Sequence, residues 1–276
     1  MIRTVRPDSE FARALALSTL SDGILATEIV QGWDVRGIPH GGYLLALVSE
    51  AMAVVLPQAD PVTISATYLA PPIFARAELH VEPIRIGKRQ STAAVRLVQD
   101  GIERVRAVGT FGTLPTSDPT YPAGLVPVPL IPPPEHCHTA PAVALAEGET
   151  IELHRRLELR LDPGVGWIDA KPSGVAEVKG WLRLADGAEP DPAALLLFSD
   201  GMPPSMFEAT GRVIGHVPTM QLTTHLFAKP QPGWVLGRFH TRIANGSLVD
   251  EDGDLWDSAG RLVATTRQLA LLMPPH

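Results

Sequence analysis

Two short stretches of this chain are apolar on every side a helix would present, and each is interrupted by one serine–acid pair. The first is Tyr43-Leu44-Leu45-Ala46-Leu47-Val48-Ser49-Glu50-Ala51-Met52, and the second is Leu195-Leu196-Leu197-Phe198-Ser199-Asp200-Gly201-Met202. A helix without a polar face must be buried on all sides, so each stretch predicts a wrapping made by its neighbours. The residues after each stretch alternate with a period of two, which marks strands. Thr63 to Leu69 and Thr219 to Phe227 both open with threonine, which makes Thr63 the counterpart of Thr219. Glu78 to Ile86, Thr92 to Gln99 and Glu103 to Phe111 continue the first series, and Trp234 to Ile243, Gly253 to Asp257 and Leu262 to Leu272 the second. Asp100-Gly101 and Ala259-Gly260 mark turns at matching places. Ahead of the helices, Ile24 to Val35, Ile151 to Leu161 and Glu177 to Leu184 also read as strands.

A long buried helix held by a curved, mostly antiparallel sheet is the hotdog architecture, and two tandem copies make a double hotdog of the α+β class. The expected division is an N-terminal repeat over 1–113, a Pro-rich linker over 114–150 and a C-terminal repeat over 151–276. Nine of the 27 prolines fall between Pro115 and Pro141, where they remove the donors of a helix or central strand and favour extended backbone. The two sheets are expected to join edge to edge, because pairing covers strands that would otherwise stand exposed. An unrelated α+β fold with an apolar helix in each half is the competing reading; the matched serine–acid pairs and turns argue against it.

Composition narrows the function. With 45% hydrophobic and 19% charged residues, the chain is that of a globular protein with a sizeable core. A net charge of −7, with the 23 Lys and Arg scattered singly, offers no basic stripe to a nucleic acid or an anionic membrane. The single cysteine, Cys137, excludes an internal disulfide framework and suits a reducing compartment, so a cytoplasmic protein is expected. No apolar run approaches the ~18 residues of a membrane span, and Met1 to Asp8 has no export-signal core. His136-Cys137-His138 has metal-ligand residue types, but its neighbours are prolines and no second cluster stands at zinc spacing, so it reads as a linker triplet. The chain contains neither a Gly-x-Ser-x-Gly elbow nor a nucleotide-binding glycine pattern.

The residues resemble the acyl-CoA thioesterases of the double-hotdog, thioesterase II type. His40-Gly41-Gly42-Tyr43-Leu44-Leu45 is similar to that family's glycine-rich lead-in to the first helix. Thr63 to Pro72 is similar to its next strand and proline-ended loop, and Val263-Ala264-Thr265-Thr266-Arg267-Gln268 to its last strand. The likeness spans nearly the whole chain apart from the linker. It implies hydrolysis of acyl-CoA to free acid and CoA, without a cofactor, by a homodimer of double hotdogs. It also implies that an Asp in the second helix, a Thr opening the next strand and a Gln in the last strand hold the attacking water. Asp200, Thr219 and Gln268 occupy those positions. One position departs, because well-studied members carry an acid where Gln221 stands. Hotdog dehydratases use a histidine in the active-site helix, and neither apolar stretch contains one.

The side chains themselves suit such a role. Water attacking a thioester needs a base, and a carboxylate inside an apolar helix has its pKa raised toward working pH by desolvation. Asp200 fits that description, while Thr219 and Gln268 are hydrogen-bonding groups able to aim a water. The amides ahead of a helix are unpaired and carry the positive end of its dipole, which makes Gly42 N–H the expected oxyanion donor. His40 reads either as a group that assists the oxyanion donor or, in preference, as a polar residue at the helix entrance. Only one of two potential sites is expected to be complete. Glu50 stands at the place of Asp200, but Gly109 stands opposite Gln268, and Asp191-Pro192 replaces the glycine pair. The alternative function is a non-catalytic double hotdog that binds acyl-CoA or another apolar ligand, and the departure at Gln221 is its main support.

Overall fold

The computed structural model describes residues 9–116, 126–139, 151–167, 171–211 and 216–273. The first half opens with α1 (Glu10–Ala14), β1 (Ser18–Ser21), β2 (Ile24–Glu28) and a small hairpin of β3 (Asp34–Val35) and β4 (Ile38–Pro39). Then come α2 (Gly41–Val55), β5 (Asp60–Tyr68), β6 (Arg76–Arg85), β7 (Ser91–Gln99) and β8 (Ile102–Gly112). In the second half β9 (His138–Thr139), β10 (Leu157–Leu161) and β11 (Glu177–Leu184) precede α3 (Pro192–Phe198) and α4 (Met206–Thr210). After these come β12 (Thr219–Leu226), β13 (Val235–His240), β14 (Ala244–Asn245), β15 (Leu248–Trp256) and β16 (Leu262–Leu271).

Among the described residues, fourteen strands form one sheet in the order β1-β2-β6-β7-β8-β5-β12-β16-β15-β13-β11-β10-β9, with β14 beside β15. Outward from the β5–β12 seam, the two halves repeat the same order. The seam is antiparallel and sets Thr223 opposite Ser65, Leu222 opposite Ala66 and Thr224 opposite Ile64. Thr223 Oγ1 donates to Ser65 Oγ at 2.8 Å. This register is symmetric about the Thr223–Ser65 pair and equates Ile64 with Leu222 and Thr63 with Gln221. Both seam strands also carry a bulge just upstream, between Pro61 and Thr63 and between Thr219 and Gln221. The counterpart of Thr219 is therefore Pro61. Matching the two threonines by their place at the start of each run misses this, because an offset of two residues leaves the period-two alternation unchanged.

Inside the sheet lie α2 and α3. Tyr43 through Val48 of α2 and Ala193 through Phe198 of α3 are each at most 1% exposed, the double hotdog that helices without a polar face require. The helices differ in length. α2 runs through Ser49-Glu50 to Val55, whereas α3 stops at Phe198 with Ser199 as its C-cap, because Gly201 and Pro203-Pro204 cannot continue it. Asp200 therefore does not lie within the helix as its apolar surroundings predicted. It sits on a tight turn in which its N–H donates to Leu197 O and Gly201 N–H to Phe198 O, at 3.3 and 3.0 Å.

Three strand expectations are also adjusted. Ile24 to Val35 is broken after Glu28 and resumes as the β3–β4 hairpin, Ile151 to Leu161 begins as a 3₁₀ turn, and β15 starts at Leu248 rather than Gly253. Part of the Pro-rich segment is docked rather than free. β9 pairs with β10, Trp181 Nε1 donates to Pro132 O at 2.9 Å, and Cys137 is buried with its Sγ donating to the same carbonyl. Residues 117–125 and 140–150 of the expected linker lie outside the described residues.

Candidate active site

A cavity of about 350 Å³ opens where the lead-in of α2 meets the exit of α3. Its polar wall holds Asp200, Thr219 and Gln268 together with His40, Gly41, Tyr68 and Glu251. Leu44, Leu69, Trp167, Met202, Phe207 and Leu271 are among its apolar wall residues. The three side chains singled out from the sequence thus share one cavity, although they come from a turn and two different strands.

Asp200 is held by the other half of the molecule. Its Oδ2 accepts the Gly42 N–H at 3.0 Å. His40 Nε2 lies 2.8 Å from the Asp200 carbonyl oxygen and 3.2 Å from Oδ2, which requires the ring proton on Nε2, since both partners only accept. The carboxylate therefore faces the amino end of the fifteen-residue α2, where the helix dipole favours an anion. Its side chain is 12% exposed. Burial pushes its pKa above the usual aspartate value, and the charge of His40, the Gly42 N–H and the Thr219 hydroxyl pull it back. Tyr68 fixes the lead-in by donating its hydroxyl to Gly41 O at 2.7 Å.

The glycine pair serves close packing. A Cβ on Gly42 would come within 2.5 Å of Leu197 O and 2.9 Å of Leu196 O, and one on Gly41 within 2.7 Å of Asp200 Oδ2. Only glycines let the start of α2 rest on the end of α3. The expected oxyanion donor is accordingly engaged: the Gly42 N–H is spent on Asp200 and positions its carboxylate. The entrance histidine also does more than its sequence context indicated, because its partner lies 160 residues away.

Two further acids belong to this region. Glu251 on β15 stands directly opposite Gln268 on β16, and Ser205 N–H donates to Glu251 Oε2 at 2.7 Å. Burial drives the Glu251 carboxyl up to about 7; Ser205 lowers it, and the nearby charges of Asp200 and Asp250 add to the rise. Glu208, 1% exposed, accepts the N–H groups of Gly166 and Trp167 at 3.0 Å each and that of Ser173, so it fixes the loop that supplies Trp167 to the wall. Gln221, where this chain departs from the resemblance, is exposed. Its neighbour Leu222 is buried, so Gln221 points away from the inner face of the sheet. Among the described residues, no group of three His, Cys, Asp or Glu side chains is placed to hold a metal ion, and no helix is long and apolar enough to cross a membrane.

Residues 29–112 match the N-terminal domain of the acyl-CoA thioesterases, and residues 134–272 match their C-terminal domain. The chain belongs to the acyl-CoA thioesterase family. An uncharacterized protein of Mycobacterium tuberculosis is 29% identical to this thioesterase-family chain over 304 residues, covering 95% of it and 98% of the relative. A Thermobifida fusca structure described as a candidate thioesterase II superposes with a TM-score of 0.86 at 26% identity, covering 97% of this chain and 99% of that one. An acyl-CoA thioesterase II of Mycobacterium marinum shares the fold, with a TM-score of 0.72 at 18% identity over 96% and 98% of the two chains.

Proposed function

We propose that this protein hydrolyses acyl-CoA thioesters to the free acid and CoA, with Asp200 as general base. The observation that carries this reading is a carboxylate set in the wall of an apolar cavity and held there by donors from both halves of the chain, His40 and Gly42 from the first and Thr219 from the second. A charge so placed is costly unless it is used. Thr219 and Gln268 orient a water against Asp200. The base removes one proton while the water oxygen attacks the thioester carbonyl, and collapse of the tetrahedral intermediate expels the CoA sulfur, which takes the proton back from Asp200. The apolar wall accommodates an acyl chain, and the amino end of α2 adds positive potential where negative charge develops.

A chromogenic thiol reagent tests this on a panel of acyl-CoAs. Wild type should release thiol, and Asp200→Asn should bind the same compounds with most turnover gone. A protein that is stabilised by acyl-CoA but releases no thiol at any chain length would be the non-catalytic binder. The departure at Gln221, which had favoured that alternative, gives it little support on the outer face of the sheet. We further propose a cytoplasmic homodimer, and a monomeric mass in light scattering at micromolar concentration would count against the assembly.

A further inference from the structure

Glu251 is a half-buried ionisable group that the hydrolytic scheme leaves without a task. Directly opposed residues of an antiparallel pair leave the sheet on the same face, with Cβ atoms about 5 Å apart. Glu251 and Gln268 are such a pair, and both line the cavity. Ser205 N–H donates to Oε2 of Glu251, and a carboxyl has further positions for its cross-strand neighbour. We propose that Glu251 is a positioning residue for Gln268: with its proton on, it holds the Gln268 side-chain oxygen and turns the amide N–H2 toward the thioester oxygen, and without that proton it draws the amide away.

The inference rests on the thioester-hydrolase reading above. Because the Gly42 N–H is committed to Asp200, the developing oxyanion needs another donor, and the Gln268 N–H2 in this wall has two hydrogens, one for the water and one for the oxyanion. A glutamine amide presents a donor at one end and an acceptor at the other, so its partner decides which end faces the substrate. A carboxylic acid donates, and a carboxylate only accepts. The groups bearing on Glu251 favour the acid. Asp200 faces it from the exit of α3, and Asp250, on its own strand, is paired with Arg242 at 2.9 Å. From the segment after α3 the Ser205 hydroxyl also reaches Glu251 and bonds Thr241 at 3.0 Å. Arg36, His154 and His216 stand elsewhere on the cavity wall, and burial lowers the pKa of His154 to about 4. Asp200 has more donors than Glu251, so the two carboxyls are driven apart into a base and an acid.

The pH dependence of kcat/KM for one acyl-CoA tests the proposal. Wild type should lose activity above about pH 7, by about tenfold per unit. Glu251→Gln mimics the protonated acid and should stay level over that range, exceeding wild type about tenfold at pH 8 when each is referred to its own value at pH 6. Gln268→Leu should be slower and should lack the alkaline fall, and adding Glu251→Gln to it should change nothing more. If Glu251→Gln does not fold, the profile of Gln268→Leu decides. Thiol release with superimposable profiles for wild type and either single variant overturns this proposal alone. Absence of thiol release from wild type at every pH overturns the hydrolase reading and this inference with it.

Discussion

The two halves of this thioesterase-family chain carry the same buried helix with the same serine–acid pair, and they differ in whether the helix continues past it. In the first half α2 runs on for five residues beyond Glu50. In the second, glycine and two prolines end α3 before Asp200, so the acid falls on a turn at the wall of a cavity. The consequence extends to the neighbouring positions. Gly109, counterpart of Gln268, lies under α2, where an added Cβ would meet Met52 Sδ at 2.8 Å. Met202, counterpart of Met52, lines the cavity instead. The first half has thus filled with side chain the space that the second half keeps open. Interrupting one helix accounts for the position of the site better than the choice of acid does.

The largest test of this contrast is Asp200→Asn, which should remove ~10²–10⁴ of turnover. The variant should melt at or above the wild-type temperature at neutral pH. Asp200 has a raised pKa in the folded state, so the stability it lends at low pH is lost as pH rises through that value, and asparagine escapes the loss. Gly42→Ala comes next. It pushes against the Leu196 and Leu197 carbonyls and should cost about 1–3 kcal/mol in denaturant unfolding. Turnover should fall on the order of 10², because displacing the end of α3 carries Asp200 away from its partners. A fully active Gly42→Ala would show that the close approach is incidental to the site. Thr219→Val should have a smaller effect, about tenfold at neutral pH. Without the hydroxyl that pulls it down, the Asp200 pKa rises further and the acid limb of the kcat/KM profile moves to higher pH; an unmoved limb would dissociate Thr219 from the base. Glu50→Gln should alter turnover by no more than about twofold. If it proves more damaging than Asp200→Asn in a folded protein, the chemistry belongs to the first half.

Local patterns carried most of the architecture. Alternation located β5 through β8 and β12, β13 and β16, and apolar runs located both helices, because burial in a closed sheet is recorded residue by residue. Turn chemistry was equally readable: Asp100 and Gly101 adopt φ of 50° and 75°, as a two-residue hairpin turn demands. Asp200, Thr219 and Gln268 were singled out through the family resemblance, and the structure gathers them around one cavity. Interactions between distant segments were not legible. The His40–Asp200 contact and the commitment of Gly42 N–H depend on two helix ends meeting across the pseudo-two-fold. Glu251 did have a local signal. Val249, Glu251, Gly253 and Leu255 alternate, which places an acid at an inward position, but the run Asp250-Glu251-Asp252-Gly253-Asp254 has the composition of a loop and hid the strand.

The shared seam has a bearing on how such a protein can vary over generations. In an assembly of two identical hotdog chains every substitution is made twice, so a change that sharpens one active site alters its mirror image as well. Here Ser65 and Thr223 hold the two copies of the fold in one continuous sheet, on one polypeptide, with the lead-in of one copy serving the acid of the other. A substitution in such a chain acts at a single place. The copy without the cavity can be selected for support alone, as Gly109 and Met52 illustrate, while the other can accumulate polar groups such as Glu251 that a symmetric pair would have to tolerate at both sites.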